Sequence, residues 1–275
     1  MIKDLVVNLS GTAPQDFAAD YAVSVAKAFG AHIAGIAFVY DPVIPDTALG
    51  GIPTDLIEIQ REEHTKAANA AVGRFEGAAK KAGVAAVTRV IDGSLAGAAS
   101  TFGRIARRFD IAVVGQAQPE QGAAEELMIE GALFESGRPV IVVPYIQKQG
   151  LTLERVMACW DGGRTAARAI ADAMPLLERA KAVDLVIVTE HGKHDEITGA
   201  NMSEHLARHG VRVEIKRIAK GDIAVQAALL DYAADSGADF MVMGGYGHSR
   251  LREFILGGVT RGILGSMTIP VLMSH

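Results

Sequence analysis

The chain has 275 residues, 49% of them apolar and 21% charged, and a formal net charge of −5. This is a globular composition; the modest negative charge argues against wholesale nucleic-acid binding, and the single cysteine, Cys159, rules out a disulfide framework within one chain. The opening MIKDLVVNLSG lacks the layout of a signal peptide, and no apolar run approaches the roughly 20 residues of a membrane span, so the expectation is a soluble cytoplasmic protein of one large or two small domains.

Taken in chain order, short apolar runs alternate with segments of helical length. The runs are Leu5–Leu9, Ile33–Val39, Ala86–Ile91, Ile111–Val114 and Val140–Val143, then Arg155–Trp160, Asp184–Thr189, Val211–Ile218, Phe240–Met243 and Val271–Met273. Several lack polar alternation, as strands buried on both faces of a parallel sheet do. The intervening helical segments include 14–29, 54–82, 94–108, 164–181 and 222–236, and this alternation predicts an α/β fold. Pro175 is expected to kink or break the helix that holds it.

The second five runs mirror the first. Trp160-Asp161-Gly162-Gly163 falls where Leu9-Ser10-Gly11-Thr12 falls, FDIAVVG ending at Gly115 matches ADFMVMG ending at Gly244, and Arg138-Pro139-Val140 matches Ile269-Pro270-Val271. The offset between matching positions shrinks by about twenty residues after the second strand, so the first half carries that much extra loop and helix there. The chain therefore divides into two repeats, 1–147 and 151–275, each of ordinary domain size.

Near the C-terminus, MGGYGHSRLREFILGGVT sets Gly244-Gly245-Tyr246-Gly247 and Gly257-Gly258 around a short basic stretch. Ligands of an open parallel sheet sit beyond the carboxyl ends of its strands, and a helix opening at VTRGIL offers free N–H groups to a phosphate. Glycines between strand and helix are also common turn chemistry, and spacing alone leaves both readings open.

The pattern resembles the universal stress protein family. Nucleotide-binding members carry Gly, two residues, Gly, nine residues, Gly, then Ser or Thr; Gly244, Gly247, the nine residues HSRLREFIL and Gly257 match it, and Gly258 departs from it at the last position. The resemblance covers both halves and implies two tandem five-stranded, Rossmann-like repeats of the adenine nucleotide alpha hydrolase type, packed as a pseudo-twofold pair. It implies ATP or AMP, with Mg²⁺ on the phosphates, as the ligand of the second repeat. Asp161 and Val188 would hold the base, Met243 and Gly244 would end the neighbouring strand, and Gly247, His248, Gly257, Gly258, Val259 and Thr260 would surround the phosphates. Asp161 reads equally as a cap of the turn at Gly162-Gly163, and His248 as a helix cap.

In the first repeat Gln118 replaces the second motif glycine, Ser10 stands where Asp161 stands, and Glu120, Glu125, Glu126 and Glu130 would repel phosphate. That repeat reads as a degenerate copy. Glu190-His191 and His194-Asp195 are weak metal ligands in a loop-like stretch, and Cys159 reads as inert packing. No catalytic constellation is present in the sequence. The expected function is a nucleotide-binding stress sensor, with a scaffold lacking nucleotide and a slow ATPase as alternatives. Family members dimerise by pairing last strands antiparallel, so Val140–Val143 and Val271–Met273 are expected to meet within the chain; no sequence feature supports a homodimer of whole chains.

Overall fold

A computed structural model describes residues 1–11, 15–41, 54–118, 123–189, 199–246 and 258–275. Its strands are β1 (Asp4–Leu9), β2 (His32–Tyr40), β3 (Ala86–Gly93), β4 (Ile111–Gly115), β5 (Val140–Val143), β6 (Arg155–Cys159), β7 (Ala182–Thr189), β8 (Val213–Ala219), β9 (Phe240–Gly244) and β10 (Val271–Ser274). Helices α1 (Phe17–Phe29), α2 (Thr54–Ala82), α3 (Leu95–Ala106) and α4 (Ala123–Glu135) belong to the first half. The second half holds α5 (Arg164–Leu177), α6 (Ala200–Arg208), α7 (Val225–Ser236) and α8 (Gly258–Ser266). Each of the ten apolar runs holds a strand.

The strands form one sheet in the order β3-β2-β1-β4-β5-β10-β9-β6-β7-β8. Each half thus reads third, second, first, fourth, fifth from its own edge, and the two fifth strands meet in the middle. All pairs are parallel except β5 with β10, which run antiparallel with Val142 opposite Val271 and Ile141 opposite Leu272. The expected pairing of last strands within the chain is present.

Side-chain alternation along the strands feeds two apolar layers. Val7, Val113, Ile141, Ala158, Val242 and Leu272 point into one, with α1 and α5. Val6, Val114, Val142, Met157, Met241 and Met273 point into the other, with α3, α4, α7 and α8. Both layers run across the β5–β10 seam, so the halves share a continuous core. The outer strands β3 and β8 instead alternate between partly buried and exposed residues, as edge strands do.

Polar contacts reinforce the seam. The Arg179 guanidinium lies 4.0 Å over the Phe29 ring and donates to the Ala28 carbonyl. Arg168 donates to Gly137 O at 3.1 Å, and Leu151 N–H donates to Ser24 Oγ at 2.7 Å.

Helix α2 has 29 residues against 9 for α6, which is the extra helical length expected in the first half. Helix α5 runs through Pro175 and ends at Leu177, where the Glu178 N–H still reaches Met174 O at 2.9 Å. Only two helical residues follow Pro175, so the helix ends just beyond the proline rather than kinking in its middle. Among the described residues no helix is long and apolar enough to cross a membrane.

Candidate functional site

A crevice opens in a parallel sheet where successive connections leave one strand in opposite directions. In the second half that point lies between β6 and β9, which pair in parallel from Val156 opposite Phe240 to Ala158 opposite Val242. The chain leaves β6 through Trp160 to Asp161 and leaves β9 at Gly244, so these two predicted positions stand on adjacent strand ends. On the other side of β6, Cys159 is opposite Val186, and the Trp160 N–H donates to Val186 O at 2.8 Å. Continued two residues, this register sets Val188 beside Asp161.

The Asp161 carboxylate is exposed, and its Oδ1 accepts the Gly163 N–H at 2.7 Å across Gly162, whose φ is +76°. The turn-capping role left open by the sequence is therefore present. Val188 is partly buried against the α7–α8 layer, and Met243 is a 5% exposed core side chain of that layer, which leaves only its backbone for a ligand.

Gly244 has a packing reason of its own. A Cβ there would stand 2.6 Å from Ala166 N and 2.6 Å from Thr165 Oγ1, in the first turn of α5. Its vacant side points at α5, on the face opposite Met243. The sequence reading assigns this glycine to ligand approach; the structure shows that helix approach alone requires it.

Beyond Gly244 the backbone turns sharply. Tyr246 has φ +52°, a left-handed value that a bulky residue seldom adopts, and its N–H donates to Thr260 Oγ1 at 3.2 Å. That bond ties the first turn of α8 to the end of β9. Thr260 is 4% exposed, so its hydroxyl serves this internal contact. Gly258 is exposed with open space around it, and Val259 is half-buried. The first turn of α8 holds no acidic residue, and it carries Arg261 on its exposed side.

The first half reaches into this region. The Phe134 ring of α4 lies 4.8 Å from the Tyr246 ring and 5.0 Å from the His275 ring, and a His275 ring nitrogen is 3.2 Å from Gly245 O. Burial pushes the Tyr246 phenol above its usual range; Glu130 and Glu126 push the same way and Arg261 opposes them. Burial likewise raises Glu130, and Glu126 adds to it.

The matching edge of the first half has different chemistry. The Ser10 N–H donates to Asp16 Oδ2 at 2.7 Å. Gln116 Nε2 donates to Leu264 O at 2.8 Å, and its Oε1 accepts from Tyr145 N at 3.3 Å. A Cβ on Gly115 would meet only Ala18 Cβ, at 3.8 Å. The first turn of α4 carries Glu125 and Glu126 where that of α8 carries no acid.

The structure thus brings together Asp161, Val188, Met243, Gly244, Gly258, Val259 and Thr260 at one end of the sheet. Gly247, His248 and Gly257 lie outside the described residues, as do Glu120, Glu190, His191, His194 and Asp195. Among the described residues no group of three or more His, Cys, Asp or Glu is placed to hold a metal. Thr165, Tyr246 and Arg261 join these residues without being among the predicted site positions. The sequence signal for Tyr246 is its place between two glycines; for Arg261 it is a cation in the opening turn of a helix without acids.

Residues 152–275 match the model of the universal stress protein family. A universal stress protein of Synechocystis sp. is 25% identical over 177 residues, which is 60% of this chain and 57% of that protein; the match spans little more than half the length of this curated relative. The crystal structure of a universal stress protein from Archaeoglobus fulgidus DSM 4304 aligns over 98% of this chain and 97% of its own, with a TM-score of 0.72 at 15% identity. A functionally unknown protein from Pseudomonas aeruginosa PAO1 aligns over 99% and 92%, with a TM-score of 0.64 at 14% identity. At such identities the structural likeness is one of fold.

Proposed function

With residues 152–275 a universal stress protein domain, we propose that the second repeat, residues 151–275, binds an adenine nucleotide, ATP or AMP, and acts in the cytoplasm as a sensor of nucleotide state. Residues 1–147, the first repeat, then have the same fold without a triphosphate site. The observation that carries the reading is the junction of β9 and α8. The Tyr246–Thr260 bond brings an acid-free helix N-terminus to the strand end beside Asp161 and Val188. A helix start of that kind suits phosphate through its N–H groups and dipole.

In this reading the base lies over Val188 and gives its exocyclic amine to Asp161, whose second oxygen remains an acceptor while Oδ1 caps the turn. The N–H groups of Gly258, Val259 and Thr260 hold phosphate, with Arg261 adding charge. Gly247, His248 and Gly257 complete the phosphate side, and Mg²⁺ comes with the triphosphate. The buried and engaged Thr260 hydroxyl favours one rival, a stress scaffold that takes no nucleotide.

Calorimetric titration of the whole chain with ATP distinguishes them. One site per chain is expected, abolished by Gly247→Val and unchanged by Gly115→Val. Equal effects of the two substitutions would refute the asymmetry of the repeats, and no heat at all would favour the scaffold.

A further inference from the structure

The sheet edge of the first half, written off as a nucleotide site, is not a closed surface. A small cleft lies beyond the ends of β1 and β4, with Asn8, Asp16, Gln116, Gln118, Glu125 and Tyr145 on its walls. Two of these residues hold a side-chain oxygen that is shut off from solvent and, among the described residues, accepts no hydrogen bond: Asn8 Oδ1 and Glu125 Oε2. Buried acceptors nearly always have partners, so a pair of them in one cleft points to a missing donor.

Two of the other polar walls, Asp16 and Gln116, are engaged within the fold. Asp16 accepts from the Ala19 N–H at 2.9 Å and from the Ser10 N–H at 2.7 Å. Gln116 uses both ends of its amide on Leu264 and Tyr145. These bonds fix the cleft, and Asn8 Oδ1 and Glu125 Oε2 are its buried acceptors without a donor among the described residues. Glu125 is only half-buried, so its side chain is not wholly enclosed by the fold.

Charge decides the class of ligand. Glu125 and Glu126 occupy the first turn of α4 and already face its positive dipole end, so an anion gains nothing there. The Tyr40 phenol at the end of β2 is pushed up to about 12, by burial first and by the Glu125 charge second, so that charge is felt within the fold. A carboxylate and an amide oxygen that both need donors match an N–H-rich cation.

We propose that the first-repeat cleft binds a small organic cation of the amine or guanidinium class through Asn8 Oδ1 and Glu125 Oε2, so that the two repeats take ligands of opposite charge. The test is a titration of the whole chain with agmatine, which carries both a guanidinium and an ammonium. It is followed by calorimetry and by NMR shifts of the Asn8 side-chain amide and the backbone amides of 8–10 and 115–118. Saturable binding at one site is expected, with Kd below about 1 mM, shifts confined to those residues, and no competition from ATP. Glu125→Gln, which keeps the shape and removes the charge, should weaken it about tenfold or more. Glu126→Gln, which removes an exposed charge next door, should leave it unchanged, and melting curves of both variants confirm folding. If Glu125→Gln does not fold, Asn8→Leu takes its place with the same expectation. No saturable binding, equal losses in Glu125→Gln and Glu126→Gln, shifts spread over the acidic surface, or displacement by ATP would each overturn the proposal.

Discussion

Gly244→Ala should destabilise the chain whether or not a ligand is present. The new Cβ would lie 2.6 Å from Ala166 N and 2.6 Å from Thr165 Oγ1, and Ala166 N is backbone that no rotamer change can move aside. Restoring ordinary contact requires the start of α5 to retreat from β9 by roughly 1 Å, against the packing of Ala169, Ile170 and Ala173 below it. Overpacking of this kind costs about 1–3 kcal/mol, and the backbone clash puts this case in the upper part of that range. For a chain of this size that is a fall in melting temperature of about 4–10 °C. Gly115→Ala is the matched control. Its Cβ would sit 3.8 Å from Ala18, so the change should be neutral or slightly stabilising, by at most about 1 kcal/mol from the stiffer unfolded chain. Thermal unfolding followed by circular dichroism, without nucleotide, measures both. Equal melting of the two variants would refute the packing argument. Unchanged melting of Gly244→Ala with a loss of ATP affinity would return the glycine to the ligand.

Asp161→Ala should weaken ATP and AMP by similar factors, since they share the base, by roughly 10- to 150-fold for one lost charged hydrogen bond of about 1.5–3 kcal/mol; a loss under about twofold in calorimetry would leave Asp161 as the cap of Gly163 alone. Val142→Lys with Val271→Lys puts two unpaired ammonium groups at facing, fully buried positions of the seam, so the double variant should lose its cooperative melting transition and aggregate; a soluble protein with unchanged melting would contradict the shared core. The Cys159 thiol is pushed up to about 12, by burial first and then by the Asp161 charge, which leaves about one thiolate in ten thousand at pH 8. It should resist iodoacetamide in the native protein and react once urea unfolds the chain; equal rates in both states would show the thiol to be accessible.

The sheet was legible because its middle strands are buried on both faces and appear as unbroken apolar runs, and because the chain repeats the same series of runs twice. Helix α2 was read at 54–82 from its length and composition. Helix α6 is short, and Met202 and Leu206, four apart, are its only large apolar residues, too few to mark a periodic stripe in the sequence. The strand ends that form the site could be placed from sequence, but their contacts could not. Nothing in Gly244 itself says that Thr165 and Ala166, far away along the chain, press against it. The same holds for Asp161, where Asp-Gly-Gly fits a turn cap and a ligand contact equally well. Thr260 could be read as an available hydroxyl only until the left-handed turn at Tyr246 brought a backbone N–H to it. The acid at the start of α4 was read as the loss of a site; its unpaired oxygen becomes visible only once the walls around it are built.

The central claim is that the second repeat is an adenine-nucleotide site, and the most direct measurement is of what the purified whole chain carries. Protein purified without added nucleotide, denatured and analysed by mass spectrometry, should release ATP or AMP at up to one per chain, and Gly247→Val purified in parallel should release none. Absence of nucleotide from the unaltered chain, together with no heat on titration with millimolar ATP and Mg²⁺, would contradict the account and leave the scaffold reading in its place.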